Sequence, residues 1–488
     1  MGNSAEPEAN AAALHDRPFL VLVTSHWLSF LGFGLVGTAL ITWLFVLAVQ
    51  MRGHAENPYI GIVVFIIVPI IFLAGLCIIP LGIFLGRRRL KRRLQAEIVD
   101  RRRAFRRLGV FLAVTTLINV VLGTQFTYRA VEHMESVQFC GQTCHVMKPE
   151  FMAHQYSPHA RVECVDCHVA PGARGWFKSK TEGTRQLLQV TFNSYPRPIP
   201  PALETGRLVP ARETCEQCHW PEKFAAAKLR VLPKFGDDET NTPTYTVLMM
   251  LVGGSLMPGI HGAHFAPGVE IRFASADSQR QTIPWVEYRN TRTGESRTYL
   301  APVVARESVH SLPQYTMQCV DCHNRPTHAF DLPERAVDRA LAGGFLPCTL
   351  PFIKTKSVEL LKANYASSAE AAQRIPAALE AYYRQTYPDK YVERASDIAS
   401  AGSVLFSLYS RNVFPDLKVT WGTYPNNVGH QDFPGCFRCH DGAHESTDGK
   451  TITQDCNVCH QLLAVDDAAP DILKTMGLDQ ALSAMRRP

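Results

Sequence analysis

The chain has 488 residues, enough for several units with their own cores, and its 46% hydrophobic content suits a protein divided between membrane and water. Its net charge of +6 is local: residues 87–107 carry eleven basic residues against Glu97 and Asp100, while the remaining thirty-nine basic residues are outnumbered by forty-two acidic ones. That distribution excludes nucleic acid as a partner and assigns the basic run to anionic lipid headgroups.

Three apolar runs come first, at residues 19–49, 59–85 and 108–126, each near or above the ~20 residues a helix needs to cross the hydrocarbon. The first is too long for a signal-peptide core, has no basic segment before it and no small-residue cleavage site after it, so it is expected to stay in the mature chain. Within it GFGLVG, residues 32–37, fits a dinucleotide-binding pattern. No strand precedes it, so the glycines read as places where helices approach closely. The basic run between the second and third apolar segments is cytoplasmic by the positive-inside rule. The N-terminal tail, residues 1–18, is then cytoplasmic too, and everything after about residue 127 lies on the opposite side. The expected organisation is a multi-pass protein of the bacterial inner membrane, with residues 19–126 forming three transmembrane helices.

Twelve of the 14 cysteines form six pairs, each with a histidine directly after the second cysteine. They are Cys140/Cys144-His145, Cys164/Cys167-His168, Cys215/Cys218-His219, Cys319/Cys322-His323, Cys436/Cys439-His440 and Cys456/Cys459-His460. Five are CxxCH and the first is CxxxCH. Two thiols that can add to porphyrin vinyls, followed by an imidazole that can reach the iron, are the signature of covalent haem c. Zinc sites pair one CxxC with another, and disulfides have no use for the histidine. Six covalently bound haem c groups are expected. In the first motif the additional residue bows the loop between the same two thioethers. Cys77 and Cys348 have no partner and read as buried thiols.

The expected fold class is mainly α with little regular secondary structure: a haem-organised region with a small β insert after the membrane helices. Residues 127–232 form a three-haem domain. Residues 233–313 read as a β-containing insert, where IPWVEYR and SRTYLAPVV flank a turn with Gly294. A fourth haem segment follows at 314–347. A helical spacer occupies 348–425, with a capping box from Ser367 to Glu370 and Pro376 breaking or kinking a helix. A two-haem module at 426–464 and a tail at 465–488 complete the chain.

Of 18 histidines, six belong to the motifs and three (His15, His26, His54) to the membrane region or its flanks. The other nine compete for the distal faces of the haems. His328, His444, His430 and His159 stand close to motifs and are the leading candidates. His261 and His264 in GIHGAHF offer one ligand between them, and His133, His154 and His310 weigh equally as ligands or surface residues.

FCGQTCHVMKPEF, the YSPH before the second motif, CVDCHVAPG, WFKSK and RETCEQCHW resemble the NapC/NirT (NrfH-like) family of membrane-anchored multihaem quinol dehydrogenases, over residues 139–224. The resemblance implies that Met147 ligates the first haem and that Lys180 or Lys178 lies near a quinol. The family's aspartate after that lysine is replaced by TEGTRQLLQ, which leaves Glu182 and Glu163 as substitutes for the proton acceptor. The expected activity is oxidation of quinol from the membrane pool at the periplasmic face, with electrons passed along the haems to a periplasmic redox partner. The alternatives are an electron-conduit subunit held by other membrane subunits, and a reductase with one five-coordinate haem.

Overall fold

The computed structural model describes residues 26–50, 68–90 and, with short breaks, 125–478, and it divides into two units, residues 1–144 and 145–488. In the first unit α1 (Trp27–Gln50) and α2 (Val68–Leu90) are long helices built from the first two apolar runs. Among the described residues one segment, Val68–Leu85 of α2, is long and apolar enough to cross a membrane. Residues 91–124, which hold the rest of the basic loop and nearly all of the third run, lie outside the described residues.

α1 and α2 pack through small residues. A Cβ on Gly32 would stand 2.9 Å from the Gly75 carbonyl oxygen, and one on Gly75 would stand 2.9 Å from that of Gly32. Only glycine lets the backbones come this close. Of the GFGLVG run, Gly32 alone makes this approach, since Gly34 and Gly37 face open space. Buried Ala39, Val68 and Phe72 continue the seam, with Trp43 ring-to-ring with Phe72 at 5.3 Å. Cys77 lies on the exposed face of α2 rather than in a core.

The second unit holds two antiparallel sheets. The first has the order β1 (Lys228–Phe235), β2 (Pro243–Met250), β8 (His460–Asp467), and the second β6 (Gln314–Thr316), β3 (Val269–Ala274), β4 (Trp285–Asn290), β5 (Glu295–Leu300), β7 (Glu445–Ser446). The β4–β5 hairpin read from the sequence is present, with Trp285 opposite Leu300 and Gly294 at φ +76° in its turn. The insert does not close on itself, however. β1 starts before residue 233, β7 comes from between the last two motifs, and β8 and the short helix α10 (Asp471–Thr475) come from the segment read as module end and tail. They are recruited because β2 and β5 would otherwise present unpaired edges. Tyr245 and Val247 of β2 are also buried against Leu473 of α10.

Four helices, α6 (Pro333–Ala342), α7 (Ile353–Lys362), α8 (Ser368–Thr386) and α9 (Ala395–Asn412), form the largest core. The helical region therefore begins inside the segment assigned to the fourth haem. Ser367 caps α8 by accepting from the Glu370 amide at 3.1 Å, and the Glu370 carboxylate accepts from the Ala366 amide at 2.6 Å. Pro376 does not end α8, which runs through it for 19 residues. A Cβ on Gly402 of α9 would stand 3.0 Å from Pro376 Cα and Cβ, so the glycine admits the proline ring. Ile375, Leu379 and Leu405 are fully buried, each stabilising the bundle by roughly 1.5–3 kcal/mol through apolar surface withdrawn from water. Cys348 packs partly buried at the edge of this core. Asn241 joins bundle and sheet: its amide donates to the Cys348 and Leu350 carbonyls at 2.9 Å each, and its carbonyl accepts from the Lys354 amide at 3.0 Å.

Candidate functional site

The cysteine motifs adopt tight helical turns. Those at Cys164–His168, Cys319–Cys322 and Cys456–Cys459 are α-helical, whereas Cys215–Gln217 and Gly435–Arg438 are 3-10 turns. Among the described residues the chain opens to a π turn in the first motif alone, over Phe139–Thr143. A π turn takes in one residue more than an α turn, so the extra residue of CxxxCH is absorbed as local widening. In four of the others the histidine amide donates to the carbonyl of the motif's first cysteine, at 2.8 Å from His219, 2.7 Å from His323 and 3.0 Å from His440, with His460 bonded likewise to Cys456. The bond folds each histidine back over its own loop. Side chains cap the turns: Glu163 with Asp166, Gln318 with Asp321, and Asp455 to the Asn457 amide.

The thiols expected to carry haem do not stand alike. Cys144, read as the second thioether of the first motif, lies outside the described residues, so the structure places only Cys140 of that pair. Cys218, its counterpart in the third motif, falls one residue past the 3-10 turn instead of within it, because a 3-10 turn is tighter than an α turn and closes sooner. Its amide donates to the Cys215 carbonyl at 3.2 Å and its thiol is exposed, as are those of Cys436 and Cys456. The partners within these pairs, Cys215, Cys439 and Cys459, are half-buried, as are both thiols of the second and fourth motifs. Burial pushes the thiols of Cys322 and Cys439 up to about 12. The described motif cysteines are all free of disulfides.

Five motif histidines each face one histidine from elsewhere in the chain. Ring centres lie 6.2 Å apart for His168 and His328, 5.8 Å for His219 and His159, and 6.3 Å for His323 and His261. The distances are 5.8 Å for His440 and His264, and 6.2 Å for His460 and His430. Two imidazoles sharing one metal ion, each with a nitrogen about 2 Å from it, have centres about 6 Å apart. Each pair thus leaves room for one iron, and each includes a histidine that directly follows a pair of cysteines outside any disulfide. The residues fit haem c.

Hydrogen bonds aim these rings. His328 Nδ1–H donates to the Glu150 carbonyl at 3.0 Å, His264 Nδ1–H to that of Ile260 at 2.7 Å, and His440 Nδ1–H to that of Thr453 at 2.8 Å. His159 makes a longer bond of the same kind to Pro326, 3.4 Å. Bonding through Nδ1–H fixes the tautomer that carries its lone pair on Nε2, the nitrogen that can bind a metal. Burial lowers the basicity of His168, His261, His264 and His323, and brings His328 to about 4, with Arg325 adding to the effect. Burial thus favours the neutral form of these five rings, the form that binds metal. Glu150 stands beside His328 with its carboxylate 3.5 Å from Arg325, and burial pushes that carboxyl up against the pull of the guanidinium.

Sequence proximity singled out His444, but the fold employs it elsewhere. It is 2% exposed, with Nδ1 2.9 Å from the Asp441 carboxylate and Nε2 2.7 Å from the Ile283 carbonyl, so neither nitrogen is available to iron. His154 is likewise buried between the Val162 carbonyl and Gln155. His310 is exposed at the end of a short helix, and His133 packs edge-on to Phe139 at 5.5 Å. His261 and His264, expected to supply one ligand together, face two different motif histidines from α5 (Ile260–Phe265). Only their spacing of three residues, one helical turn, carried that signal.

Met147 closes the 3-10 turn His145–Met147, directly before α3 (Lys148–Gln155). Lys178 and Lys180 lie on α4 (Gly172–Thr191), the first exposed and the second half-buried. Of the two acids weighed as substitutes, Glu182 pairs with Arg185 at 3.0 Å and Glu163 is engaged in its cap.

The model of the NapC/NirT cytochrome c family, N-terminal region, matches residues 102–198. The cytochrome c-type protein ImcH of Geobacter sulfurreducens is 38% identical over 448 residues, covering 89% of this chain and 87% of that one. This chain belongs to the NapC/NirT family of multihaem c-type cytochromes. The other likenesses are confined to part of the chain. The cytochrome c nitrite reductase subunit NrfH of Nitratidesulfovibrio vulgaris is 30% identical over 112 residues, 23% of this chain and 64% of that one. TorC of Escherichia coli is 26% identical over 129 residues, 23% of this chain and 31% of that one. No solved structure matches. The family carries covalent haem c, which accounts for the cysteine pairs and the histidines after them.

Proposed function

We propose that the chain is a membrane-anchored hexahaem cytochrome that oxidises quinol at the periplasmic face of the inner membrane and delivers electrons to a periplasmic acceptor. The observation that supports this reading is the set of five facing histidine pairs, in which each motif histidine from the second to the sixth meets a second imidazole at a spacing that would admit an iron. Haem, when bound, supplies the one-electron redox chemistry. Closure of both faces favours electron transfer over binding of a substrate to iron, which sets the five-coordinate reductase aside for these five sites.

The chain's own residues do the rest. Three spans, residues 19–126, anchor it with the basic loop in the cytoplasm. Cys140 and Cys144 hold the first haem through the widened loop, and Met147 serves it as thioether ligand. Lys180, with Lys178 two residues earlier on the exposed side of α4, orients the quinol by donating to its oxygen, and the protons leave to periplasmic water. The facing histidines would hold the irons, with the rings of His328, His264 and His440 aimed by hydrogen bonds to backbone carbonyls.

Anaerobic mixing of the oxidised holoprotein with a menaquinol analogue, followed at the reduced-haem α-band, tests the reading. Rapid reduction by wild type and at least tenfold slower reduction of Lys180→Ala, with dithionite reducing both fully, is the expected result. A wild type that stays oxidised under quinol but reduces under dithionite would transfer quinol chemistry to another subunit and leave this chain as a conduit.

A further inference from the structure

The fourth and fifth motifs are tied together from within. Asp321 is the second residue between the cysteines of the fourth motif, and Arg438 holds the same place in the fifth. Arg438 spends all three of its nitrogens on backbone carbonyls: Nε to Gly435 at 2.8 Å, one terminal nitrogen to Arg280 at 2.6 Å and the other to Asp321 at 2.7 Å. The carboxylates nearby are already committed. Asp321 is bound by Arg280 at 2.5 Å, with side chains 3% and 11% exposed, and Asp441 is taken by His444 Nδ1 at 2.9 Å. Arg280 is itself stacked 3.7 Å from the centre of the Tyr315 ring. The cluster of Arg280, Asp321 and Arg438 therefore carries one surplus positive charge, and the Arg280–Asp321 pair holds it in place.

The surplus lies inside one attachment loop and against the backbone of another, in each case two residues before the motif histidine that His264 or His261 faces. We propose that Arg438 is a potential-setting residue, its charge held on carbonyls so as to raise the reduction potentials of the fourth and fifth haems together and make this junction the place where electrons collect between entry and exit. The proposal rests on the six-haem reading above. A ferrous haem carries one positive charge fewer than a ferric one, so a nearby fixed cation favours the reduced state. Carbonyl dipoles steady a guanidinium without cancelling its charge, and partial burial limits screening by solvent.

The test is a spectropotentiometric titration of the full-length holoprotein, in detergent, with haem content measured in parallel. R438Q is expected to move two of the six one-electron components negative by about tenfold in their equilibrium constants, about 59 mV each, leaving four in place. R438K keeps the charge but loses the fork of bonds, and is expected to restore most of the shift. Unchanged potentials in fully loaded R438Q would overturn the proposal alone. Equal shifts in R438K and R438Q would also overturn it, by making the effect one of structure and not of charge. A wild type without haem at these two motifs would overturn the six-haem reading along with it.

Discussion

His261 and His264 stand one turn apart on the same six-residue helix and face two different motif histidines, His323 at 6.3 Å and His440 at 5.8 Å. A single short element thus positions two sites that are far apart in sequence. Removing either ring should open one iron and leave the other closed. His261→Ala and His264→Ala are each expected to convert one haem from low to high spin, and the double variant two, read by electron paramagnetic resonance and the near-infrared charge-transfer bands. A single variant that disturbed both sites would show that α5 unravels and does not act as a strut.

His444→Ala should behave in the opposite way. Its two buried hydrogen bonds, to Asp441 and to the Ile283 carbonyl, are structural, so the spin-state spectrum is expected to match wild type. Stability should fall by about 1–3 kcal/mol, the cost of leaving buried polar partners unmade, measured as a lowered midpoint in denaturant.

Met147→His replaces a thioether with an imidazole beside the first motif. A thioether ligand holds a haem at higher potential than a second imidazole does. The variant is expected to lower one haem potential selectively and to slow reduction by quinol, with titration and stopped-flow as the two checks. A titration indistinguishable from wild type would remove Met147 from the ligand set.

Leu405 is fully buried in the core formed by α6 to α9. Leu405→Ala should cost about 2–5 kcal/mol through lost burial and the cavity left behind. Because no haem motif lies within the bundle, helix loss by circular dichroism is expected at lower denaturant while the haem spectrum persists.

The loop before β2 gives a pH-dependent test. Asp238 is held to about 2, first by the Thr240 hydroxyl and then by the amide and hydroxyl of Thr242. Its folded value is below the ordinary 3.8, so its contribution is full above that value and is lost as pH falls through about 2. Asp238→Asn is expected to lower the melting temperature at pH 7, with the gap to wild type closing between about pH 4 and 2.

What could be read from sequence was what is written locally. The attachment motifs, the β4–β5 hairpin around Gly294 and the Ser367 cap each depend on residues within a few positions of one another. The choice of facing histidine does not. His328 follows the fourth motif yet faces His168 of the second, and His159 precedes the second yet faces His219 of the third. Proximity to a motif favoured His444 because it ignores the Asp441 carboxylate waiting three residues away. Even within a motif the spacing does not tell which kind of turn forms, so the position of Cys218 beyond its turn was not legible, whereas the α turn of the second motif runs through Cys167 to His168. β8 was hidden for a related reason: a strand that starts on a haem-motif histidine has its pairing settled by the edge of β2, not by alternation in its own sequence.

Met249 of β2 pairs with Gln461 of β8, and the two segments are synthesised far apart in time. Synthesis begins at the N-terminus, so β2 waits with one open edge until nearly the whole chain has been made. The second motif waits too, for a histidine that follows the fourth. Maturation of this cytochrome is therefore a closing operation more than a sequence of finished domains, and a chain truncated before residue 460 would expose the edge of β2 to any strand nearby.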